Sequence, residues 1–168
     1  PATSSSYSAD TGVDVKIVLG ATISITGPTA QEGAYARDGY EFAVDAVNRA
    51  GGVRIGDKSY RLVLKYYDDQ SNAQLVSGLY RKLLSEDHAN ILLGPYSSAP
   101  TMEAVPVAEE AHLPLIDAHG SAESIFANGN HYTFGILSPA QNYLRGIIAL
   151  VHTTDPRAHT VRFIGADE

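Results

Sequence analysis

Hydrophobic and polar positions fall into alternating blocks along this chain, and each block carries one of two periods. Residues 13–25 form a nearly continuous β-branched and apolar run, charged only at Asp14 and Lys16, that stops at Gly27-Pro28. Such a run predicts a strand buried on both faces. A helical period follows. It places Tyr35, Gly39, Phe42/Ala43, Ala46/Val47 and Ala50 on one face, mostly Arg37, Asp38, Glu41, Asp45 and Asn48 on the other, and ends at Gly51-Gly52. Residues 60–67 read as a second strand, halted by Asp68-Asp69, and residues 73–87 repeat the helical period through Val76, Leu79/Tyr80 and Leu83/Leu84. Residues 91–93 make a short strand closed by Gly94-Pro95.

The alternation continues in the second half. A helix is expected over 101–111, with Pro106 as a kink or break, and strands over 113–116 and 131–136. A helix over 143–151 carries Leu144, Ile147/Ile148 and Val151 on one side, and a sixth strand-like segment occupies 160–165. Strand and helix in regular alternation predict an α/β fold, an open parallel sheet with helices on both faces and right-handed crossovers. Ligands bind such sheets at the carboxyl ends of the strands. That rule selects the loops 24–32, 68–72, 95–100 and 117–121, all rich in Ser, Thr, Gly, Asn and Gln.

Composition narrows the function. The chain has 168 residues, 44% of them hydrophobic, which is enough for a core and too many for a disordered polypeptide. It carries 12 basic and 19 acidic side chains, a net charge of −7. Residues 85–168 hold 3 basic and 10 acidic side chains and no lysine. That inventory builds no basic patch, so nucleic acid and anionic membranes are excluded as partners. The absence of cysteine removes disulfides, thiolate metal sites and a cysteine nucleophile. The uncharged stretch 124–144 contains Asn, Gln, His, Gly and Pro and does not read as a membrane span. Residues 1–12 are a small-polar tail beginning at Pro1; this reads as the mature end of an exported protein whose signal peptide is gone, or as a cloning boundary.

The loop Gly-Pro-Tyr-Ser-Ser-Ala-Pro-Thr (94–101) opens a helix. Ser97 or Ser98 can cap it, Pro100 is tolerated in its first turn, and its free N–H groups suit a carboxylate. The plainer reading is that Ser98 caps a helix and does nothing else. Asp117 and His119 stand two apart with no third metal ligand at a recognisable spacing, so His119 reads as a hydrogen-bonded loop histidine. No nucleophile elbow, dinucleotide fingerprint or P-loop is present. Asp68-Asp69 are expected to end a strand, and Glu109-Glu110 to solvate a helix face. No cofactor or metal is implied, and the catalytic reading stays weak.

The ordered segments GATISITGPTAQEG (20–33), GYEFAVDAVNRAGGV (39–53), RLVLKYYDDQSN (61–72), LLGPYSSAPTMEAVPVAEEAHLPLI (92–116) and NGNHYTFGI (128–136) together resemble one family. These are the type I periplasmic solute-binding proteins of the branched-chain amino acid and amide class. The resemblance implies two α/β lobes joined by a hinge and closing on a small ligand. Residues 13–153 would supply most of the first lobe, and residues 154–168 a crossover and the first strand of a second lobe that is mostly absent. It implies an extracytoplasmic protein that captures an amino acid, amide or small carboxylate for the membrane permease of an ABC importer. The alternatives are a ligand-sensing domain of the same fold, or a small α/β hydrolase using Ser98 and His119. By the resemblance, Ser98 and amides near Ser121 hold a ligand carboxylate, while the His119 carbonyl and Ser121 hydroxyl receive an ammonium group. Ser97 lies beside Ser98, and Tyr96 supplies an aromatic wall. Glu32 stands where relatives that bind apolar amino acids often carry an aromatic residue. A carboxylate there does not stack on an aliphatic side chain, so the resemblance does not extend to leucine-like specificity. His119 is also larger than the small residue often found there, and it polarises the pocket.

Overall fold

The computed structural model describes residues 15–160 and Arg162; the polar tail and most of the expected sixth strand-like segment at 160–165 lie outside the described residues. In chain order the strands are β1 (Lys16–Ile23), β2 (Val53–Ile55), β3 (Lys58–Asp68), β4 (Ile91–Leu93), β5 (Leu115–Asp117) and β6 (Thr133–Gly135). The helices are α1 (Ala30–Arg49), α2 (Ala73–Ser85), α3 (Ser98–Ala111) and α4 (Arg145–Thr154). The sheet order is β2-β3-β1-β4-β5-β6. Strands β3, β1, β4, β5 and β6 run parallel, as the alternation predicts, and β2 is antiparallel to β3. The sheet is therefore mixed. The β2–β3 hairpin escapes the pattern because β2 is three residues long, with an exposed arginine at its centre.

Strand alternation divides the core between the two faces of the sheet. On one face α2 and α3 pack together, burying Val76, Tyr80, Leu83, Ala104, Val107 and Ala108 against Leu92 and Leu115, with Val18 of β1 joining them. Leu19, Ala21 and Ile23 point to the other face and are buried beneath α1. The α2 stripe read from the sequence is the one observed. The α1 stripe is not. Tyr35 and Phe42, expected to face the sheet, are 66% and 75% exposed. The buried positions are Gly33 and Ala36, followed by half-buried Tyr40, Val44 and Val47. Gly33 permits this rotation: a Cβ there would lie 2.0 Å from the Ser24 carbonyl oxygen, so only a residue without one lets this side of α1 rest on the end of β1.

Helix α3 begins three residues earlier than expected and runs unbroken through Pro106, whose ring is exposed. The expected α4 face is recognisable, since Leu144, Ile147, Ile148 and Val151 line one groove of about 460 Å³, yet each remains exposed. Among the described residues no helix is long and apolar enough to cross a membrane.

Glu109 does not merely solvate a helix. It accepts hydrogen bonds from the backbone N–H groups of His131 at 2.9 Å and Tyr132 at 2.8 Å, and from the Thr133 hydroxyl at 3.2 Å. The carboxylate thus clamps β6 to α3, while Glu110 pairs with Arg81 on the surface. Burial alone would raise the Glu109 pKa, but these donors outweigh it and hold the carboxyl below its usual value. A native pKa below the unfolded one stabilises the fold above the unfolded carboxylate range, and that stability is lost as pH falls through the native value. Glu109→Gln turns one acceptor into a donor facing an N–H group. It is expected to cost about 1–2 kcal/mol at pH 7, near the low end for charged hydrogen bonds because the side chain is partly in water. Urea denaturation at pH 7 and pH 3 checks this: the gap between wild type and variant narrows at pH 3. A variant as stable as wild type at pH 7 would show that β6 docks without the clamp.

Candidate functional site

The carboxyl ends of the parallel strands carry a two-layered polar site. The lower layer staples the loops together. The Ser24 hydroxyl donates to buried Asp69 Oδ1 at 2.6 Å, and the Ser71 N–H donates to the same oxygen at 3.0 Å. Asp68 Oδ1 accepts from the N–H groups of Ile25 and Thr26, and Oδ2 from the Thr26 hydroxyl at 2.7 Å. The Asp68-Asp69 pair therefore does more than end β3. It fixes the chain that leads from β1 into α1 against the chain that leads from β3 into α2.

Asp117 organises the other end. Its Oδ1 accepts from the N–H groups of His119 at 3.1 Å and Gly120 at 2.7 Å, which bends the loop after β5 back over the strand. Burial raises the Asp117 pKa, although both N–H donors and the nearby imidazole oppose the rise. A Cβ at position 120 would lie 2.5 Å from Ile125 Cδ1 and 2.8 Å from Asp117 Oδ2, so a larger residue there would push on both side chains.

The upper layer contains most of the expected site residues. Ser98 opens α3, and its Oγ accepts from the N–H groups of Ser121 at 3.1 Å and Ala122 at 3.2 Å. The expected amides near Ser121 are thus held by Ser98. Ser97 is the N-cap residue by position, but its side chain makes no capping bond; its carbonyl accepts from the Thr101 N–H and hydroxyl. Tyr96 and His119 meet edge to face with ring centroids 6.3 Å apart. Tyr40 also meets the imidazole edge to face, at 5.6 Å. Burial holds the His119 pKa below the usual histidine value, against the pull of the Gly94 carbonyl and Asp117. Glu32 is half-buried in the first turn of α1, and among the described residues nothing bonds it to this cluster.

A nucleophile needs its base within hydrogen-bond reach, but among the described residues His119 Nδ1 contacts Tyr40 and not Ser98. No group of three His, Cys, Asp or Glu residues capable of holding a metal occurs among the described residues. Tyr40 is a participant that the sequence reading missed. Its signal was its position two helical turns after Gly33, on the face that packs against the sheet.

Comparison with known proteins finds relatives in sequence and in fold. The chain is 32% identical over 138 residues to Leu/Ile/Val-binding protein homolog 8 of Brucella abortus, covering 82% of this chain and 32% of that one. It is 29% identical over 143 residues to homolog 7 of Brucella melitensis, covering 85% and 34%. It thus spans about a third of the length of these relatives. In fold it is similar to the substrate-binding protein LivJ of Streptococcus pneumoniae, solved with isoleucine, at a TM-score of 0.67 and 24% identity over 74% of this chain and 34% of that one. It is also similar to a solute-binding protein of an ABC transporter from Rhodopseudomonas palustris, solved with 3,4-dihydroxybenzoic acid, at 0.71 and 16% identity over 83% and 37%. The family described as periplasmic binding protein matches residues 16–168, nearly the whole chain, and the protein belongs to that family.

Proposed function

We propose that this lobe forms one wall of a cleft that captures a small carboxylate-bearing metabolite, an amino acid or an aromatic acid, outside the cytoplasm for an ABC importer. The observation that carries this reading is the Ser98 hydroxyl. It sits at the start of α3 with both lone pairs engaged by backbone N–H groups, and its own proton is left to donate. The α3 N-terminus adds a positive dipole end, which favours an anion at that place. Tyr96 and His119 flank it with aromatic edges. The similar structures solved with isoleucine and with a dihydroxybenzoate both hold ligands with a carboxylate, so this chemistry is common to the fold.

A thermal-shift screen of the intact protein over amino acids, amides and benzoates, followed by calorimetry on the hits, tests the reading. Carboxylate ligands are expected to raise the melting temperature, and their amides to raise it less. A protein that answers to none of them, or equally to acid and amide, does not work this way. Glu32 then sets the ligand's far end. Glu32→Gln is expected to weaken ligands bearing a cationic or N–H-rich side chain about tenfold, the scale of one charged hydrogen bond, and to spare apolar ones. If calorimetry shows both classes changed alike, Glu32 lies outside the cleft.

A further inference from the structure

His119 stands on the wall of the cleft, and the state of its ring decides what that wall offers. Tyr40 has one hydroxyl proton and faces two acceptor candidates: the Gly94 carbonyl at 2.7 Å and His119 Nδ1 at 3.3 Å. The carbonyl can only accept, and its distance is that of a good O–H···O bond. Burial pushes the Tyr40 phenol well above its usual pKa, so the proton stays on it. With that proton committed to Gly94, the Tyr40 oxygen presents a lone pair to Nδ1. Nδ1 must then carry hydrogen, or two lone pairs would oppose each other. Burial favours the neutral imidazole, and a neutral ring has only one N–H. Its Nε2 is therefore bare. Nε2 lies across the ring from Nδ1, the nitrogen that meets Tyr40.

We propose that Tyr40 and the Gly94 carbonyl lock His119 as its Nδ1–H tautomer, so that Nε2 becomes a fixed hydrogen-bond acceptor selecting carboxylate ligands that also carry an N–H or O–H donor. The selection rests on the cleft reading above, but the lock does not. Tyr40 acts as a positioning residue, touching the ring and not the ligand. A methyl ether or a deaminated analogue offers Nε2 nothing, and its binding leaves that acceptor desolvated and unpaired. Ser98 supplies the donor for the carboxylate and His119 the acceptor beside it, so the wall reads both ends of a short polar ligand.

The test has two independent arms on the intact protein. Long-range ¹H–¹⁵N correlation spectra, recorded without ligand at neutral pH, report the tautomer directly. A pyrrole-like Nδ1 and a pyridine-like Nε2 are expected in the wild type, and a shift toward the Nε2–H form in Tyr40→Phe. A pyridine-like Nδ1 in the wild type, or unchanged shifts in Tyr40→Phe, overturns the lock. In the second arm, calorimetry compares L-leucine with 4-methylpentanoate, and 4-hydroxybenzoate with 4-methoxybenzoate. The donor-bearing member of a binding pair is expected to bind at least about tenfold tighter, and His119→Phe, which keeps a ring but no acceptor, to erase that preference. A preference that survives in His119→Phe overturns the selection. If none of the four probes binds wild type, the cleft reading and the selection fall together, while the spectra still decide the lock.

Discussion

Replacing Gly33 with alanine is expected to destabilise the fold by about 3 kcal/mol or more, at the upper end of what overpacking a core costs. A Cβ at this position would lie 2.0 Å from the Ser24 carbonyl oxygen and 2.7 Å from its carbon. Both are backbone atoms, so no side-chain rotation relieves the clash. The start of α1 would have to lift from the end of β1. That movement would pull on Thr29, whose N–H and hydroxyl donate to Ser71 Oγ, and on Tyr40 above Gly94. Gly39→Ala supplies the control within the same helix. Nothing lies within 4 Å of a Cβ there, so only helix propensity changes, and a gain of up to about 1 kcal/mol is expected. Urea denaturation of the two variants measures both. A Gly33→Ala protein as stable as wild type would show that α1 does not rest on Ser24.

These two glycines also show where the sequence was legible and where it was not. The α2 stripe through Val76, Tyr80 and Leu83 was readable because large apolar side chains occupy the buried face and polar ones the other. In α1 the large apolar residues Tyr35 and Phe42 face outward, and the buried face is made of Gly33 and Ala36. A periodicity of large hydrophobics reads such a helix backwards, since what decides its rotation is a close backbone approach that only the absence of a side chain allows. The short strand β4 was bounded correctly by Gly94-Pro95, and the parallel topology followed from the alternation. The β2 edge was missed because three residues carry too little period to register.

The site divides in the same way. Ser97, Ser121, His119 and Tyr96 lie in loops at strand ends and Ser98 opens the helix after one of them, and topology alone selects those places before any chemistry is weighed. Their partners come from elsewhere. Tyr40 reaches Gly94 across 54 positions, and Ser24 reaches Asp69 across 45. Such pairs are set by the sheet order, in which β1 lies between β3 and β4, and no local motif encodes them. Glu109 shows the converse error. Two adjacent acids on a helix look like a solvated face, whereas the backbone N–H groups that need an acceptor belong to the two residues that lead into β6, 22 and 23 positions away.

Ser98→Ala is expected to lower affinity for a carboxylate ligand ten- to a hundredfold, about 1–3 kcal/mol, the range of a charge-assisted hydrogen bond. The hydroxyl has two lone pairs and one proton. Ser121 and Ala122 N–H groups occupy the lone pairs, so removing the oxygen has two separable effects. It deletes the donor offered to the ligand, and it frees two amides of the loop after β5. The freed amides lower stability as well, but by no more than about 1–2 kcal/mol, because Ser98 and Ser121 are only half-buried and water can reach the amides. Ser98→Thr separates the two contributions, since it keeps both the acceptor and the donor and adds only a methyl group. Calorimetry should find the threonine variant close to wild type for the carboxylate ligand and the alanine variant much weaker. Melting temperatures corrected for stability then exclude simple unfolding. An alanine variant that melts earlier yet binds with unchanged affinity would reduce Ser98 to a staple between α3 and the β5 loop. The carboxylate would then have to be held by the α3 N-terminus alone.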